Sequence, residues 1–235
     1  LGRFTEAAGS YGEAIGIEPG NPEPWYLLGL TLEKAGRPED ALNALEGFLS
    51  LMPDSGDAWG RAGELLITLG RPEEAAGAFG KAAVLTPGKA GIQARYGDAL
   101  LAVSRFGEAA EAFGHALELD PGNAGIWFNR GLAEMELGED EAAIGFFERT
   151  LDLDPGNGDA WYQKGRALER SGRPGEAVEA LDEAIRRLPG HGPSWFVRGL
   201  ALERLLAAEV GEARVVARHE ELFADEARAL LVPLP

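Results

Sequence analysis

Histidine is the most versatile chemical side chain in this sequence, and its three copies do not form a site. His115, His191 and His219 lie far apart in the chain, whereas a metal ion needs clustered ligands. The sequence contains no cysteine, which removes disulfides, thiolate ligands and thiol nucleophiles together. We therefore predict no metal site and no cofactor.

Motifs for phosphate binding, acyl transfer and calcium binding are also missing from the sequence. The Gly-Lys pairs at residues 80–81 and 88–89 are each followed by alanine, where a phosphate-binding loop needs Ser or Thr. No serine lies in a Gly-x-Ser-x-Gly turn. Asp154, Asn157 and Asp159 loosely resemble a calcium loop but lack its alternate spacing and closing Glu, so turn and cap roles are favoured. We predict no catalytic residue and no enzyme activity.

The net charge of the chain indicates which classes of partner it can bind. Its 235 residues include 22 Lys and Arg and 39 Asp and Glu, a net charge of −17. Nucleic acids and anionic lipids attract basic surfaces, so we predict neither a nucleic-acid partner nor a membrane partner. An acidic chain is suited to a basic or mixed-charge peptide or protein. Hydrophobic residues make up 45% of the sequence, which is sufficient for a folded core.

The elements that would position such a partner follow a repeat. Four residue types recur at intervals of 34 residues (53 − 19 = 34) along nearly the whole chain. The tryptophan series has one exception, Gln93. The four series are Pro19, Pro53, Pro87, Pro121, Pro155 and Pro189; Gly29, Gly63, Gly97, Gly131, Gly165 and Gly199; Ala7, Ala41, Ala75, Ala109, Ala143 and Ala177; and Trp25, Trp59, Trp127, Trp161 and Trp195.

Each repeat has the pattern of two helices. In residues 124–157, Trp127, Gly131 and Leu137 lie at helical spacing, and a second apolar stripe follows the break at residues 138–140. Gly suits the end of a helix and Pro suits the start of the next. One helix pair cannot bury its apolar face alone, so successive pairs must stack. We predict an all-α fold, an α-solenoid.

These repeats resemble the tetratricopeptide repeat (TPR) family, whose pattern is Trp, Leu-Gly, Tyr, Ala, Phe, Ala and Pro over 34 residues. The resemblance covers about residues 1–225, and in one repeat it rests on Trp161, Gly165, Ala177, Leu181, Ala184 and Pro189. It implies a right-handed superhelix of stacked antiparallel helix pairs and a non-catalytic scaffold for protein–protein interactions. The motif residues are packing residues, so they do not identify a partner.

The repeat boundaries define a single array over residues 1–235. Residues 1–21 hold only a second helix, which predicts that the chain is a segment of a longer array. Residues 192–223 form a divergent repeat with a two-residue insertion in its turn, because Gly211 follows Gly175 by 36 residues (211 − 175 = 36). Residues 224–235 are predicted to cap the array. The full repeats are residues 22–55, 56–89, 90–123, 124–157 and 158–191.

The family resemblance implies that first helices line a concave groove in which peptides bind. Residues one, two and five places after the Trp position point into it. Among these positions, the residues predicted to bind a peptide, here called the predicted groove residues, are Tyr26, Leu30, Arg61, Glu64, Arg95, Asp98, Phe128, Asn129, Leu132, Tyr162, Gln163 and Arg166. Two family subtypes are disfavoured: no three repeats supply the Lys and Asn set of the chaperone-tail clamp, and of an asparagine ladder only Asn129 is present.

Alternatives remain open at these positions. Arg61, Glu64, Arg95 and Asp98 either bind a mixed-charge peptide or pair with one another across neighbouring helices. The aromatic positions suit packing as well as they suit ligand contact. For the function, the alternatives to a binding module are a homo-oligomer that stacks end to end through residues 3–19, and the targeting arm of a larger enzyme.

Glycine is unusually abundant, with 33 copies. Six of them lie within second helices at positions expected to face outward, where each costs about 1 kcal/mol relative to Ala. Either another backbone approaches closely there, or the positions are weakly constrained. The six are Gly9, Gly12, Gly77, Gly80, Gly114 and Gly145.

Overall fold

The computed structural model describes the backbone of residues 2–230 and the side chains of residues 2–211. The described backbone is helical without strands, in agreement with the predicted all-α fold. No described helix is both long and apolar enough to cross a membrane. The helices are α1 Gly2–Ile17, α2 Pro22–Lys34, α3 Pro38–Leu51, α4 Gly56–Thr68, α5 Pro72–Leu85, α6 Ala90–Ala102, α7 Phe106–Leu119, α8 Ala124–Leu137, α9 Asp140–Leu153, α10 Gly158–Arg170, α11 Pro174–Arg187 and α12 Gly192–Leu230.

The chain divides into two compact units, residues 1–139 with α1–α8 and residues 140–235 with α9–α12. Within each unit, every helix packs against the next one along the chain. This consecutive packing of helix pairs is the one expected for stacked repeats, since each pair buries its apolar face on its neighbours.

The first unit has an alanine- and phenylalanine-rich core. Phe79 and Phe113 are 1% and 0% exposed. A Cβ placed on Gly97 would lie 2.6 Å from Cε1 of Phe113, so only glycine lets α6 approach α7 this closely. In the second unit Leu181 takes the place of the ring, and a Cβ on Gly165 would lie 2.6 Å from its Cγ.

The turns between paired helices rely on left-handed backbone. Gly36, Gly70, Gly138 and Gly172 have φ between 71° and 83°, a region in which glycine carries no steric penalty. Ser104 has φ 59° at the corresponding place in the α6–α7 turn. In four of the turns an arginine precedes the next helix and pairs with the carboxylate three residues later, as in Arg71–Glu74 at 2.6 Å.

The tryptophan positions share one hydrogen bond. Each indole N–H donates to the carbonyl of the proline six residues earlier, which lies in the turn before the helix. The donor–acceptor distances are 3.1 Å for Trp25–Pro19, 2.8 Å for Trp59–Pro53, 2.9 Å for Trp127–Pro121, 3.2 Å for Trp161–Pro155 and 3.2 Å for Trp195–Pro189. Gln93 instead donates through Nε2 to the Ala83 carbonyl at 3.3 Å.

The last helix differs from the sequence prediction. Residues 192–230 form one continuous helix, α12, where we predicted two helices joined by a turn with an insertion. The stretch Leu205–Val210 contains neither glycine nor proline, and its Leu, Ala and Glu residues favour helix, so no residue before Gly211 interrupts the backbone hydrogen bonds. The side chains of the predicted cap, residues 224–235, lie outside the described part of the chain.

The outward glycines fall into two groups. A Cβ on Gly9, Gly12, Gly77 or Gly145 would meet nothing within 4 Å. Gly80 and Gly114 instead have side chains of the following first helix, Tyr96 and Arg130, at 3.3 and 3.2 Å from that Cβ position. Within the described residues no backbone lies close to any of the six. Weak constraint is favoured for the four with open surroundings, whereas Gly80 and Gly114 have a side chain in close contact.

Candidate functional site

Charged groups of successive first helices meet in the first unit. Arg61 Nη1 on α4 lies 3.2 Å from Glu33 Oε2 on α2. Arg95 Nε on α6 lies 3.0 Å from Glu64 Oε1 on α4. These contacts join helices that are two elements apart, so the residues share one face of the unit. All four side chains are at least 40% exposed.

The same face continues to α8 through Asp98. Asn129 donates through Nδ2 to Asp98 Oδ1 at 2.8 Å, and Arg95 Nη1 lies 3.8 Å from Asp98 Oδ2. Burial raises the pKa of Asp98 above its usual value, and the repulsion of Glu64 adds to this, while Asn129 and Arg95 oppose it. We call Glu33, Arg61, Glu64, Arg95, Asp98 and Asn129 the polar row.

The structure supports the pairing interpretation of the groove charges. Arg95 pairs with Glu64 and Asp98, whereas Arg61 pairs with Glu33, outside the predicted set. The pairs of Arg61 and Glu64 are exposed, and Asp98 is half-buried. Exposed ion pairs are worth about 0–1 kcal/mol, so a ligand could displace them at low cost.

Four apolar residues of the predicted groove, Tyr26, Leu30, Phe128 and Leu132, are half-buried. Tyr26 packs on Phe48 of α3 with ring centroids 5.0 Å apart and planes at 48°, and it borders the core of the unit. Tyr26 therefore has a packing role, while its remaining surface is open to contact.

The three predicted groove residues of the second unit cluster on α10. The Tyr162 ring meets the His191 ring edge-on at 4.6 Å between centroids. The Arg166 guanidinium lies 5.7 Å from the Tyr162 centroid and donates to Gln163 Oε1 at 2.9 Å. This cluster has one cation and no carboxylate of its own, in contrast to the polar row.

Sequence reasoning missed one member of the polar row. Glu33 lies eight places after Trp25, outside the one, two and five rule, and it pairs with Arg61. Its equivalents two and four helices later, Ile67 and Leu101, are apolar, so the repeat gave no signal for it. Only the geometry of neighbouring helices identifies the pair.

The candidates for other chemistry do not assemble into a site. Among the described residues no group of three His, Asp or Glu could hold a metal ion. Asp154 Oδ1 accepts from the Gly156 amide at 3.1 Å, and Asn157 Oδ1 accepts from the Ala160 amide at 2.9 Å, which are the expected turn and cap roles. His191 shares a hydrogen bond of 2.7 Å with the Ser194 hydroxyl.

Two family models described as tetratricopeptide repeat match the sequence. One covers residues 26–91 and 96–158, and the other covers residues 1–47 and 135–196. The chain belongs to the tetratricopeptide repeat family. A search of the curated proteins found no match.

Solved structures show the same fold. A crystal structure of YrrB, described as a TPR protein with an unusual peptide-binding site, is 23% identical and covers 82% of this chain and 99% of its own, with a TM-score of 0.74. A crystal structure of MamA is 25% identical and covers 69% of this chain and 95% of its own, with a TM-score of 0.66. A MamA segment from Desulfovibrio magneticus RS-1 is 20% identical, with coverages of 72% and 96% and a TM-score of 0.66. This TPR fold supports a protein-interaction scaffold.

Proposed function

We propose that the chain is a non-catalytic scaffold whose polar row binds an extended peptide or protein segment of basic or mixed charge. The observation that carries the proposal is the continuity of the row: side chains from α2, α4, α6 and α8 meet on one face. The row presents two arginines and three carboxylates, so a segment with alternating charges can exchange weak internal pairs for its own.

The test is selection of peptides from a displayed random library on the wild-type chain, followed by affinity measurements with Arg95→Glu. This change reverses the charge that faces both Glu64 and Asp98. We expect the affinity for a mixed-charge peptide to fall by at least about tenfold, because a carboxylate of the peptide that faced Arg95 then meets a carboxylate of the row. Arg3→Glu on α1 makes the same change of charge at an exposed position and is the matched control. Equal affinity of the two variants would refute the assignment of the row.

The cluster on α10 is proposed as a separate contact for an acidic or aromatic side chain, since Tyr162 and Arg166 present a ring and a cation together. Tyr162→Ala removes the ring. We expect a loss of affinity for ligands that carry an acidic or aromatic side chain, and circular dichroism checks that the helix content of the chain is kept.

Self-association is the second candidate, and exposed apolar residues favour it. Ile17 at the end of α1 is 79% exposed, and Trp195 and Phe196 at the start of α12 are 52% and 68% exposed. Apolar surface of this kind marks interaction sites. Light scattering during size exclusion tests it: a mass that rises with concentration and falls back in Phe196→Ser supports end-to-end stacking, whereas a constant mass of 25.0 kDa excludes it.

A further inference from the structure

A second recognition surface lies along α5, away from the polar row. It is a groove of about 830 Å³ lined mainly by Trp59, Lys81, Val84, Pro87, Gln93 and His115, which we call the α5 groove. None of its lining residues is one of the predicted groove residues. A volume of this size can accept large side chains of a bound peptide.

A groove of about 680 Å³ occurs at the same place in the next repeat, beside Trp127. The α5 groove is larger than this counterpart, and it lies where the chain departs from its own repeat at three neighbouring positions. Gln93 stands where the other repeats have Trp. Ala83 stands where the other full repeats have a large aliphatic residue, and Val84, which is 80% exposed, stands where those repeats have a polar one. The counterparts of Ala83 are Leu49, Leu117, Leu151 and Ile185, and those of Val84 are Ser50, Glu118, Asp152 and Arg186.

The other repeats show what fits in this place. There an indole donates to the proline carbonyl six residues earlier, at 2.8 Å in the case of Trp59 and Pro53. Gln93 turns to the Ala83 carbonyl instead, and within the described residues no hydrogen bond reaches the Pro87 carbonyl. The Pro87 carbonyl is therefore an open acceptor at this repeat. The buried Gln93 and Ala83 have smaller side chains than the Trp and the Leu or Ile at the equivalent positions.

The charge of the groove is opposite to that of the chain. Lys81 and His115 line it, and no carboxylate does, although the net charge is −17. The Lys81 ammonium lies 3.8 Å from the centroid of the Trp59 ring, so an aromatic face and a cation are presented side by side. Such a surface favours an aromatic side chain flanked by acidic residues.

We propose that the α5 groove binds a tryptophan side chain of a partner peptide that carries acidic residues beside it. The indole enters the groove beside Gln93 and Ala83, which both line it, and donates its N–H to the Pro87 carbonyl. Val84 covers one side of the ring, and the flanking carboxylates face Lys81 and His115. This site is independent of the polar row.

The test uses a synthetic peptide of two Glu, one 5-fluorotryptophan and two Glu, with blocked ends, followed by fluorine NMR during titration with the full chain. We expect a saturable shift of the fluorine signal. A peptide with Ala in place of the tryptophan should fail to compete for binding. Gln93→Trp fills the space from within and should weaken binding at least about tenfold. Ala83→Leu, which restores the residue type of the other repeats, is the second variant, in case Gln93→Trp disturbs the fold.

Each remaining outcome overturns the proposal. Unchanged binding by folded Gln93→Trp and Ala83→Leu removes the groove from the interaction, as does equal binding of the Ala peptide. Loss of binding in Arg95→Glu, with no loss in the α5 variants, would place the peptide on the polar row. If no peptide binds, but the mass of the wild type rises with concentration and that of Gln93→Trp does not, the occupant is a second copy of the chain. Failure of the polar row alone leaves this test unaffected.

Discussion

The helical glycines give the sharpest prediction, because two neighbouring ones have opposite surroundings. Gly97 on α6 lies against the Phe113 ring, and a Cβ there would be 2.6 Å from Cε1 and 2.8 Å from Cζ. The ring is fully buried and cannot move aside. Gly77 on α5 has nothing within 4 Å of its Cβ position. Substitution by alanine therefore separates helix propensity from packing.

The magnitudes follow from these two terms. Alanine gains about 1 kcal/mol over glycine within a helix, so Gly77→Ala should raise the free energy of unfolding by up to about 1 kcal/mol. Gly97→Ala gains the same propensity but overpacks the core, which costs about 1–3 kcal/mol. The net expectation is a loss of as much as about 2 kcal/mol. The two variants carry the same chemical change, and only their surroundings differ.

The assay is urea denaturation of the wild type and both variants, followed by far-ultraviolet circular dichroism at one protein concentration. We expect the midpoint to rise for Gly77→Ala and to fall for Gly97→Ala. A higher midpoint for Gly97→Ala would refute the close contact between α6 and Phe113. A lower midpoint for Gly77→Ala would show that something packs on the outer face of α5, contrary to the weak constraint inferred there.

Three further changes test the core and the charges. Phe113→Ala should cost about 3–5 kcal/mol in urea denaturation, as for other buried rings. The pKa of Asp98 is raised in the folded state, so the free energy of unfolding should fall as the pH rises from 3.8 through the folded-state pKa. Asp98→Asn keeps an acceptor for Asn129 and should remove this pH dependence. At pH 7 this variant should be more stable than the wild type. The hydrogen bond from Arg105 lowers the pKa of Glu108, so Glu108→Gln should lower the thermal midpoint slightly at pH 7. The difference in midpoint between this variant and the wild type should vanish as the pH falls from 4.5 through the folded-state pKa of Glu108. An unchanged difference at low pH would contradict this pairing.

The fold was predictable because the repeat determines it. Gly97 and Phe113 recur in phase with their counterparts, and the contact between a first-helix glycine and a second-helix ring follows from that register. The error was at α12, where Gly211 was aligned with a turn. Periodicity carries no information once the sequence leaves the period, and local helix propensity then decided the structure over residues 205–210.

The partners within the candidate site were less predictable. The sequence indicated which positions of the first helices share a face, but not that Arg61 would pair with Glu33 or Asp98 with Asn129. These pairs depend on how neighbouring helices are positioned along one another, which is set by tertiary packing and not by the sequence of either helix. Both interpretations of Tyr26 stay open, since its contact with Phe48 gives it a packing role without removing it from the surface.

Departures from an internal repeat are informative because the other copies act as controls in the same molecule. A Gln in a single helix says little. Five tryptophans occupy the positions equivalent to residue 93. In each of them the indole N–H donates to a proline carbonyl, so this position of the repeat can hold an indole and provides an acceptor for it. Ala83 departs in the same direction, toward a smaller side chain, and lines the same groove. Two losses of volume in one place cost packing energy. Relaxed constraint would scatter such losses over the array, whereas their coincidence beside a free acceptor and the Lys81 ammonium is what a site for an external side chain requires.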